Sequence, residues 1–198
     1  MSTATGELFH VFDARRVKAP ELKGLDVGAN AAVGWVKHKI PVLRSLRAQA
    51  NRVNALEPEI QKLGSNAFKK EVARLQEVAR LGRLDGAELD RAFAIVREAS
   101  IRTVDKRPFD VQIMGAAAMT RGYIAEMATG EGKTLTAVLA GCIWAWEGKP
   151  VHVITVNDYL VARDAEINKA LYHMMGVSVT AVTHETPPQD RIRAYRQG

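Results

Sequence analysis

The sequence predicts an α/β protein in which a parallel sheet with flanking helices follows an N-terminal helical layer. Apolar or β-branched runs, typical of strands, alternate with stretches of helical spacing. The runs are residues 123–126, 151–156 and 177–183, and the helical stretches are residues 133–147 and 163–175. This alternation is typical of parallel sheets with right-handed crossovers. Because its run is almost continuously apolar, segment 151–156 is expected to be a central strand buried on both faces.

Residues 41–105 are predicted to form the helical layer, because apolar residues recur there at intervals of three and four. The three apolar stripes are Leu43, Leu46, Ala50, Val53 and Leu56, then Phe68, Val72, Leu75, Val78 and Ala79, then Leu89, Phe93, Val96 and Ala99. The third helix is expected to begin at Asp85, with Glu88 completing a capping box.

Length and composition predict a soluble chain with a full core. The chain has 198 residues, of which 47% are apolar, enough for one domain or one and a half. No apolar run approaches the roughly 20 residues that span a bilayer, and no signal-peptide pattern opens the sequence. The single cysteine, Cys142, is expected to be a small core residue of a buried helix.

Basic residues are concentrated in the N-terminal half. Residues 1–110 carry 20 Lys and Arg against 14 Asp and Glu, so the whole net charge of +6 lies there. Residues 15–54 are densest, and such a stretch could lie on an anionic membrane or touch nucleic acid. The simpler interpretation is a solvated arm, since glycines and prolines interrupt any long amphipathic helix. Residues 1–40 are therefore predicted to be a basic, flexible arm.

The segment TGEGKT predicts a phosphate-binding loop. Gly130 and Gly132 allow a tight turn whose backbone N–H groups face an anion, and the following helix directs its N-terminal dipole at the same place. In this pattern Lys133 contacts phosphates and the Thr134 hydroxyl holds Mg²⁺. The first position is Met127, where glycine or alanine is usual. The expected ATP-binding residues of the loop are Thr129, Gly130, Glu131, Gly132, Lys133 and Thr134.

Two residues upstream of the loop could recognise a base. Phe109 could stack on adenine, and Gln112 could use its amide donor and acceptor on the base edge. From the residues alone this signal is weak, because Phe109 could equally be a core residue and Gln112 a surface amide.

Four longer strings make the sequence recognisable. FDVQIMGAAAM, IAEMATGEGKTLTAVLAG, GKPVHVITVNDYL and ARDAE closely resemble the first nucleotide-binding domain of SecA, the family of ATPase motors in bacterial protein export. The similarity extends over roughly residues 43–198. It implies a RecA-like, helicase-like P-loop fold, with residues 106–198 forming the first portion of the nucleotide-binding domain.

The resemblance also implies roles for individual residues. Arg107, Phe109 and Gln112 match the adenine-recognition motif of the family, and Lys133 and Thr134 match its phosphate and Mg²⁺ contacts. The motif after the second predicted strand is matched by Asn157, Asp158, Arg163 and Asp164. Ala128 stands where the family usually has a basic residue.

No apolar run ending in Asp-Glu occurs in the sequence, so the second acidic motif of such ATPases is missing. That motif orients Mg²⁺ and the attacking water. We therefore expect an incomplete domain that binds ATP with Mg²⁺ but does not hydrolyse ATP on its own.

The resemblance implies a preprotein translocase motor that couples ATP hydrolysis to export. Its implied partners are ATP or ADP, the SecYEG channel, preprotein and anionic phospholipid, with no nucleic acid expected and a homodimer left open. The implied location is cytoplasmic, peripheral on the inner membrane. Two alternatives stay open: a related nucleic-acid helicase, whose basic half would contact phosphates, and a non-catalytic interaction fragment.

Overall fold

The computed structural model describes residues 27–28 and 41–197. The chain divides into two compact units, residues 1–41 and 42–198, and every element discussed below belongs to the second. The predicted basic arm, residues 1–40, lies outside the described residues except at positions 27 and 28. The helices are α1 Val42–Gln61, α2 Ser65–Arg80, α3 Gly86–Val104, α4 Asp110–Thr120, α5 Lys133–Trp146, α6 Asp158–Met174 and α7 Pro188–Gln197.

The predicted helical layer is confirmed by α1, α2 and α3. The apolar stripes of these helices meet in one core in which Val53, Leu75 and Phe93 are completely buried. Helix α3 is the centre of the layer, since every residue from Ala92 to Ser100 is buried. Leu43 is an exception to the predicted stripe because it is exposed, whereas Leu46 and Ala50 on the next turns are buried.

The capping box predicted at the start of α3 is wrong, although its position is right. Asp85 is the N-cap residue with extended backbone, yet its side chain makes no capping hydrogen bond. The Glu88 carboxylate instead accepts two hydrogen bonds from Arg74 of α2, at 2.9 and 2.7 Å. The charged hydrogen bond to a neighbouring helix has replaced the local one.

The predicted parallel sheet is wrong for this structure. Within residues 41–197 no residue is in a strand, and no backbone hydrogen bond joins one of the three predicted strand segments to another. Segment 151–156, expected to be buried on both faces, has Ile154 and Val156 almost fully exposed. A β-branched run fits a pleated, half-buried surface but does not form one without a pairing partner. These segments are connections between helices.

Helices α4 and α5 pack closely because Gly115 has no side chain. A Cβ atom at Gly115 would lie 2.9 Å from the Thr136 methyl carbon and 3.4 Å from the Met127 sulfur. This close approach brings the beginning of α4 next to the loop that precedes α5. The predicted helix 133–147 is confirmed by α5, and Gly148 follows it with a φ of 79°.

The far end of α5 is fixed to α6 and α2 through one carbonyl group. The Met175 carbonyl accepts hydrogen bonds from the Trp146 indole at 2.9 Å and from the Gln76 amide at 2.8 Å. Helix α6 begins at Asp158, five residues before the predicted start, because the Asn157 side chain caps it by accepting from the Leu160 N–H. Asn157 is thus a favourable N-cap, directly after the predicted strand 151–156.

Two sequence predictions concern the interior and the membrane. Cys142 is completely buried in α5, and burial raises the pKa of its thiol, as expected for an unreactive core residue. None of the helices within the described ranges is both long and apolar enough to cross a bilayer.

Candidate phosphate-binding site

The glycine-rich loop turns sharply where it enters α5. Gly130 and Gly132 have φ values of 90° and 85°, a region that side chains with a Cβ rarely adopt. Gly132 is the N-cap residue of α5, so the first N–H groups of a 14-residue helix open onto the loop. Unpaired N–H groups together with the helix dipole favour an anion at this position.

Gln112 fixes the loop to the start of α4. Its side-chain oxygen accepts the Phe109 N–H at 3.0 Å, and its amide nitrogen donates to the Glu131 carbonyl at 2.9 Å. A Cβ atom at Gly132 would lie only 2.2 Å from that amide nitrogen. The glycine is therefore required twice, for its backbone conformation and for the space that the buried Gln112 side chain occupies.

Two charged side chains of the loop bind the same residue. The Lys133 ammonium donates to the Ala128 carbonyl at 2.9 Å, and the Glu131 carboxylate accepts the Ala128 N–H at 2.7 Å. Lys133 is exposed, so its cation is available at the mouth of the loop. Glu131 places a negative charge on the same loop, where it opposes the binding of another anion.

Thr134, the second residue of α5, faces α6. Its hydroxyl lies 3.4 Å from the Asp164 carboxylate, and the other oxygen of that carboxylate accepts from Arg163 at 2.9 and 2.6 Å. The guanidinium of Arg163 lies 5.8 Å from the centre of the Tyr159 ring. The pairing with Asp164 raises the pKa of Arg163. Asp164 thus belongs to the site, although it is 30 residues beyond Thr134.

The other predicted adenine-binding residues are placed differently from Gln112. Arg107 pairs with Glu57 of α1 through two hydrogen bonds of 2.7 and 2.6 Å, and these hydrogen bonds lower the pKa of the Glu57 carboxyl. Phe109 is the N-cap residue of α4, and the residue is two-thirds exposed. Phe109 is therefore not the core residue of the simpler interpretation, and Gln112 is not a surface amide.

The remaining matched residues lie at the start of α6. Asn157 caps the helix, and the Asp158 carboxylate binds both the ring and the backbone N–H of His184. The hydrogen bonds from His184 lower the pKa of Asp158. The hydrogen bonds of these two side chains do not involve the loop, whereas Asp164, six residues beyond Asp158 on α6, faces Thr134. Thr129 is exposed on the loop.

Sequence reasoning missed the contact between Asp164 and Thr134 and the tie between Gln112 and the loop backbone. Both join residues from different helices, at separations of 30 and 19 positions, and no local spacing pattern encodes such a contact. The only available signal for Asp164 was its match to a family motif, which assigns no atom-level partner.

The donor set fits a nucleotide phosphate with Mg²⁺ better than a metal ion alone. No group of three or more His, Cys, Asp and Glu side chains within the described ranges could hold a metal ion. The loop instead offers backbone N–H groups, one Lys cation and one Thr hydroxyl, which suits an anion that brings Mg²⁺ with it.

Comparison with known proteins identifies the family of the chain. The family model of the SecA DEAD-like domain matches residues 31–198. The chain is 46% identical over 153 residues to a protein translocase subunit SecA of Solidesulfovibrio magneticus, covering 77% of this chain and 18% of that protein. It is also 46% identical to the subunit of Hyphomonas neptunium, over 77% of this chain and 17% of that protein, and 44% identical to the subunit of Ehrlichia chaffeensis, over 78% and 18%.

The lengths of these relatives show how much of such a protein the chain represents. The chain spans less than a fifth of the length of the curated relatives it matches. The family model nevertheless covers most of its residues, including the whole loop, α4 and α6. The chain therefore belongs to the SecA DEAD-like domain family.

Proposed function

We propose that this chain is the ATP-binding part of a SecA-like protein translocase subunit. The observation that carries the proposal is the loop at the start of α5, in which Gly130 and Gly132 have positive φ and the buried Gln112 amide binds the loop backbone. A loop held this way by a neighbouring helix presents backbone donors without further rearrangement, which reduces the entropic cost of binding an anion.

Each predicted site residue has a part in this proposal. Lys133 supplies a cation to the β- and γ-phosphates, and the Thr134 hydroxyl supplies an oxygen to the Mg²⁺ that accompanies them. Phe109 has an exposed ring beside Gln112, which supports stacking on adenine. The Gln112 side chain makes two hydrogen bonds to the backbone, and its remaining amide hydrogen and oxygen lone pair would bind the base edge. Arg107 would contribute to adenine recognition while it is paired with Glu57. Mg²⁺, when bound with the nucleotide, would neutralise negative charge on the phosphate oxygens.

The role of the whole protein is part of the proposal. The relatives are protein translocase subunits, and we infer that a longer chain containing this segment couples ATP hydrolysis to preprotein export at the cytoplasmic face of the inner membrane. SecYEG, preprotein and anionic phospholipid would be its partners there. For the 198-residue chain alone we propose nucleotide binding without turnover, because no apolar run ending in Asp-Glu follows the loop.

Titration of the purified chain with a fluorescent ADP derivative tests the proposal. Lys133→Ala should weaken ADP binding about tenfold or more, since it removes the phosphate-facing cation. Lys149→Ala is the matched control, because Lys149 is an exposed lysine beyond the other end of α5. Its ammonium lies 3.9 Å from the Glu147 carboxylate. Equal affinity in the wild type and Lys133→Ala would overturn the assignment of the loop.

A further inference from the structure

The Thr134 hydroxyl differs from the other threonine hydroxyls of the described helices in the partner that it faces. Thr103, Thr120 and Thr136 each donate to a carbonyl of their own helix or its cap, at 2.7, 3.1 and 3.3 Å. Such back-bonding is the ordinary choice for a helical threonine. Thr134 instead lies 3.4 Å from the Asp164 carboxylate of α6. Its hydroxyl is directed by another element.

The chemistry of the two groups fixes the direction of this hydrogen bond. An ionised carboxylate only accepts, so the Thr134 hydroxyl must donate its single proton to Asp164. The hydroxyl oxygen then keeps both lone pairs for another partner. A hydroxyl that donated to nothing would be free to rotate and would point its proton at an approaching cation in some of its orientations.

Only one of the two Asp164 carboxylate oxygens accepts the proton of the Thr134 hydroxyl. Its Oδ1 accepts two hydrogen bonds from Arg163, and its Oδ2 faces Thr134. The Asp164 backbone carbonyl accepts the Asn168 side-chain amide at 2.8 Å, and Asn168 is itself buried. The side chain of Asp164 is about a quarter exposed. The two carboxylate oxygens therefore have separate tasks, and the residue has little freedom to turn.

We propose that Asp164 is a positioning residue that orients the Thr134 hydroxyl toward the Mg²⁺ of a bound nucleotide. This inference rests on the proposed function and deepens it, because it names an acidic group that acts on the metal-facing side of the loop from α6. Residues one step removed from a metal typically alter its affinity by about 10–100-fold. Asp164 acts through Thr134, so its effect appears only when Mg²⁺ is present.

The test compares ADP affinity of the full 198-residue chain in Mg²⁺ and in EDTA. Asp164→Ala should lose roughly tenfold in Mg²⁺ and nothing in EDTA. Asp164→Asn should lose nearly as much, because an amide offers only one acceptor oxygen and cannot satisfy both Arg163 and Thr134. Glu166→Gln is the matched control, since Glu166 lies on the same helix but is exposed and pairs with Lys169. It should keep the wild-type response to Mg²⁺.

A double-mutant comparison separates positioning from general damage to the fold. Thr134→Val removes the hydroxyl, and if Asp164 acts through it, adding Asp164→Ala should weaken Mg²⁺-dependent binding no further. Equal losses in Mg²⁺ and EDTA, additive losses in the double variant, or a wild-type Mg²⁺ response in Asp164→Ala would each overturn the inference. Failure of the proposed function looks different, because wild type and Lys133→Ala would then bind ADP equally.

Discussion

The helical layer, residues 42–104, differs from the non-helical segments of the loop-bearing half, residues 106–197, in how it uses its apolar residues. In the helical layer Phe93 and Ile95 are completely buried. In the loop-bearing half Ile124 and Ile154 are 98% and 92% exposed, in segments whose composition is that of buried strands. The two regions have similar kinds of apolar side chain, so the difference lies in where their packing partners come from.

Charged residues show the same contrast. In the helical layer Arg91 bridges Glu59 of α1 and Glu71 of α2, and Arg74 bridges Glu71 and Glu88. In the loop-bearing half most ion pairs join near neighbours, as in Arg163 with Asp164, Lys169 with Glu166 and Lys149 with Glu147. A helix can pack against the next helix in the chain, whereas an extended run must find its partner at a distance.

The largest expected effect tests this contrast by replacing one isoleucine with alanine in each region. Ile95→Ala removes a completely buried side chain from α3 and should lower the free energy of unfolding by about 2–5 kcal/mol. Ile154→Ala removes an exposed side chain and should change the free energy of unfolding by no more than about 0.5 kcal/mol. Urea unfolding followed by circular dichroism measures both values.

The control in this experiment is the denaturant dependence. If the slope of free energy against urea stays constant, the difference reports the native state rather than the unfolded chain. A loss of stability in Ile154→Ala as large as that in Ile95→Ala would contradict the contrast, because it would mean that Ile154 is packed.

The sequence predicted α1, α2, α3 and α5 well because each of them is specified by its own residues, whereas α6 begins five residues before its predicted start and no helix was predicted where α4 and α7 lie. The spacing of Leu46, Ala50 and Val53 is enough to define a buried face, and α5 was correctly bounded by Lys133 and the glycine at 148. The segments 151–156 and 177–183 were assigned to a sheet on composition, and composition cannot supply the neighbouring strand that a ladder of hydrogen bonds requires. The correct prediction depended on local information, and the wrong one on distant pairing.

The same division holds within the candidate site. The string Gly132, Lys133 and Thr134 is contiguous, so its loop geometry could be predicted from residue types that permit a tight turn. Gln112 and Asp164 reach the loop from α4 and α6, and their contacts depend on how those helices pack. Gly115 controls one of these approaches, yet nothing in its sequence neighbourhood identifies it as a packing position.

The next effect tests the tie between α4 and the loop. Gly132→Ala should destabilise the chain by about 1–3 kcal/mol through backbone strain at φ 85°, and by more through the clash of its Cβ with Gln112. Gly148→Ala is the matched control, because its φ is 79° and its Cβ would meet nothing within 4 Å. The difference between their urea midpoints measures the clash.

A second variant sharpens this measurement. Combining Gly132→Ala with Gln112→Ala removes the clash but keeps the strain, so the double variant should recover part of the lost stability. Equal midpoints for Gly132→Ala and Gly148→Ala, with no recovery in the double variant, would show that Gln112 does not bind the loop in solution.

A smaller effect concerns the charge of the loop itself. Glu131→Gln keeps an acceptor for the Ala128 N–H but removes a negative charge from the phosphate-facing loop. Since two charges about 4 Å apart interact by about 1 kcal/mol in water, ADP should bind up to about fivefold more tightly. The gain should shrink at high salt, because an exposed charge is screened.

Two controls separate this charge effect from a change in loop shape. Adenosine, which has no phosphates, should bind equally to wild type and Glu131→Gln. Glu126→Gln alters an exposed carboxylate just before the loop and should change ADP affinity less. Weaker ADP binding by Glu131→Gln, or an equal gain for adenosine, would contradict a repulsive role for the Glu131 carboxylate.

The smallest expected effect compares one carboxylate from each region as the pH falls. Hydrogen bonds from Arg107 lower the pKa of Glu57, and hydrogen bonds from His184 lower the pKa of Asp158. A carboxyl whose pKa is lower in the folded state stabilises the fold above its ordinary pKa, and this contribution is lost as the pH falls through the folded-state pKa. The ordinary values are 4.5 for Glu57 and 3.8 for Asp158. Stability should therefore decline below about pH 4.5.

The two variants separate the contributions of these carboxylates. Glu57 also lies 3.3 Å from the buried Arg97 guanidinium, whereas the Asp158 pair with His184 is exposed. Glu57→Gln should make the decline of the urea midpoint below pH 4.5 shallower, by an amount equivalent to about 0.2–1 kcal/mol because Arg107 is partly exposed. Asp158→Asn should leave the decline nearly unchanged. The slope against pH is the measurement, since Glu57→Gln also lowers stability at neutral pH by leaving Arg97 with one fewer charged partner. The contrast would be contradicted if the pH slope flattened as much in Asp158→Asn as in Glu57→Gln. The exposed Asp158–His184 pair would then stabilise the fold as strongly as the ion pairs of Glu57 with Arg97 and Arg107.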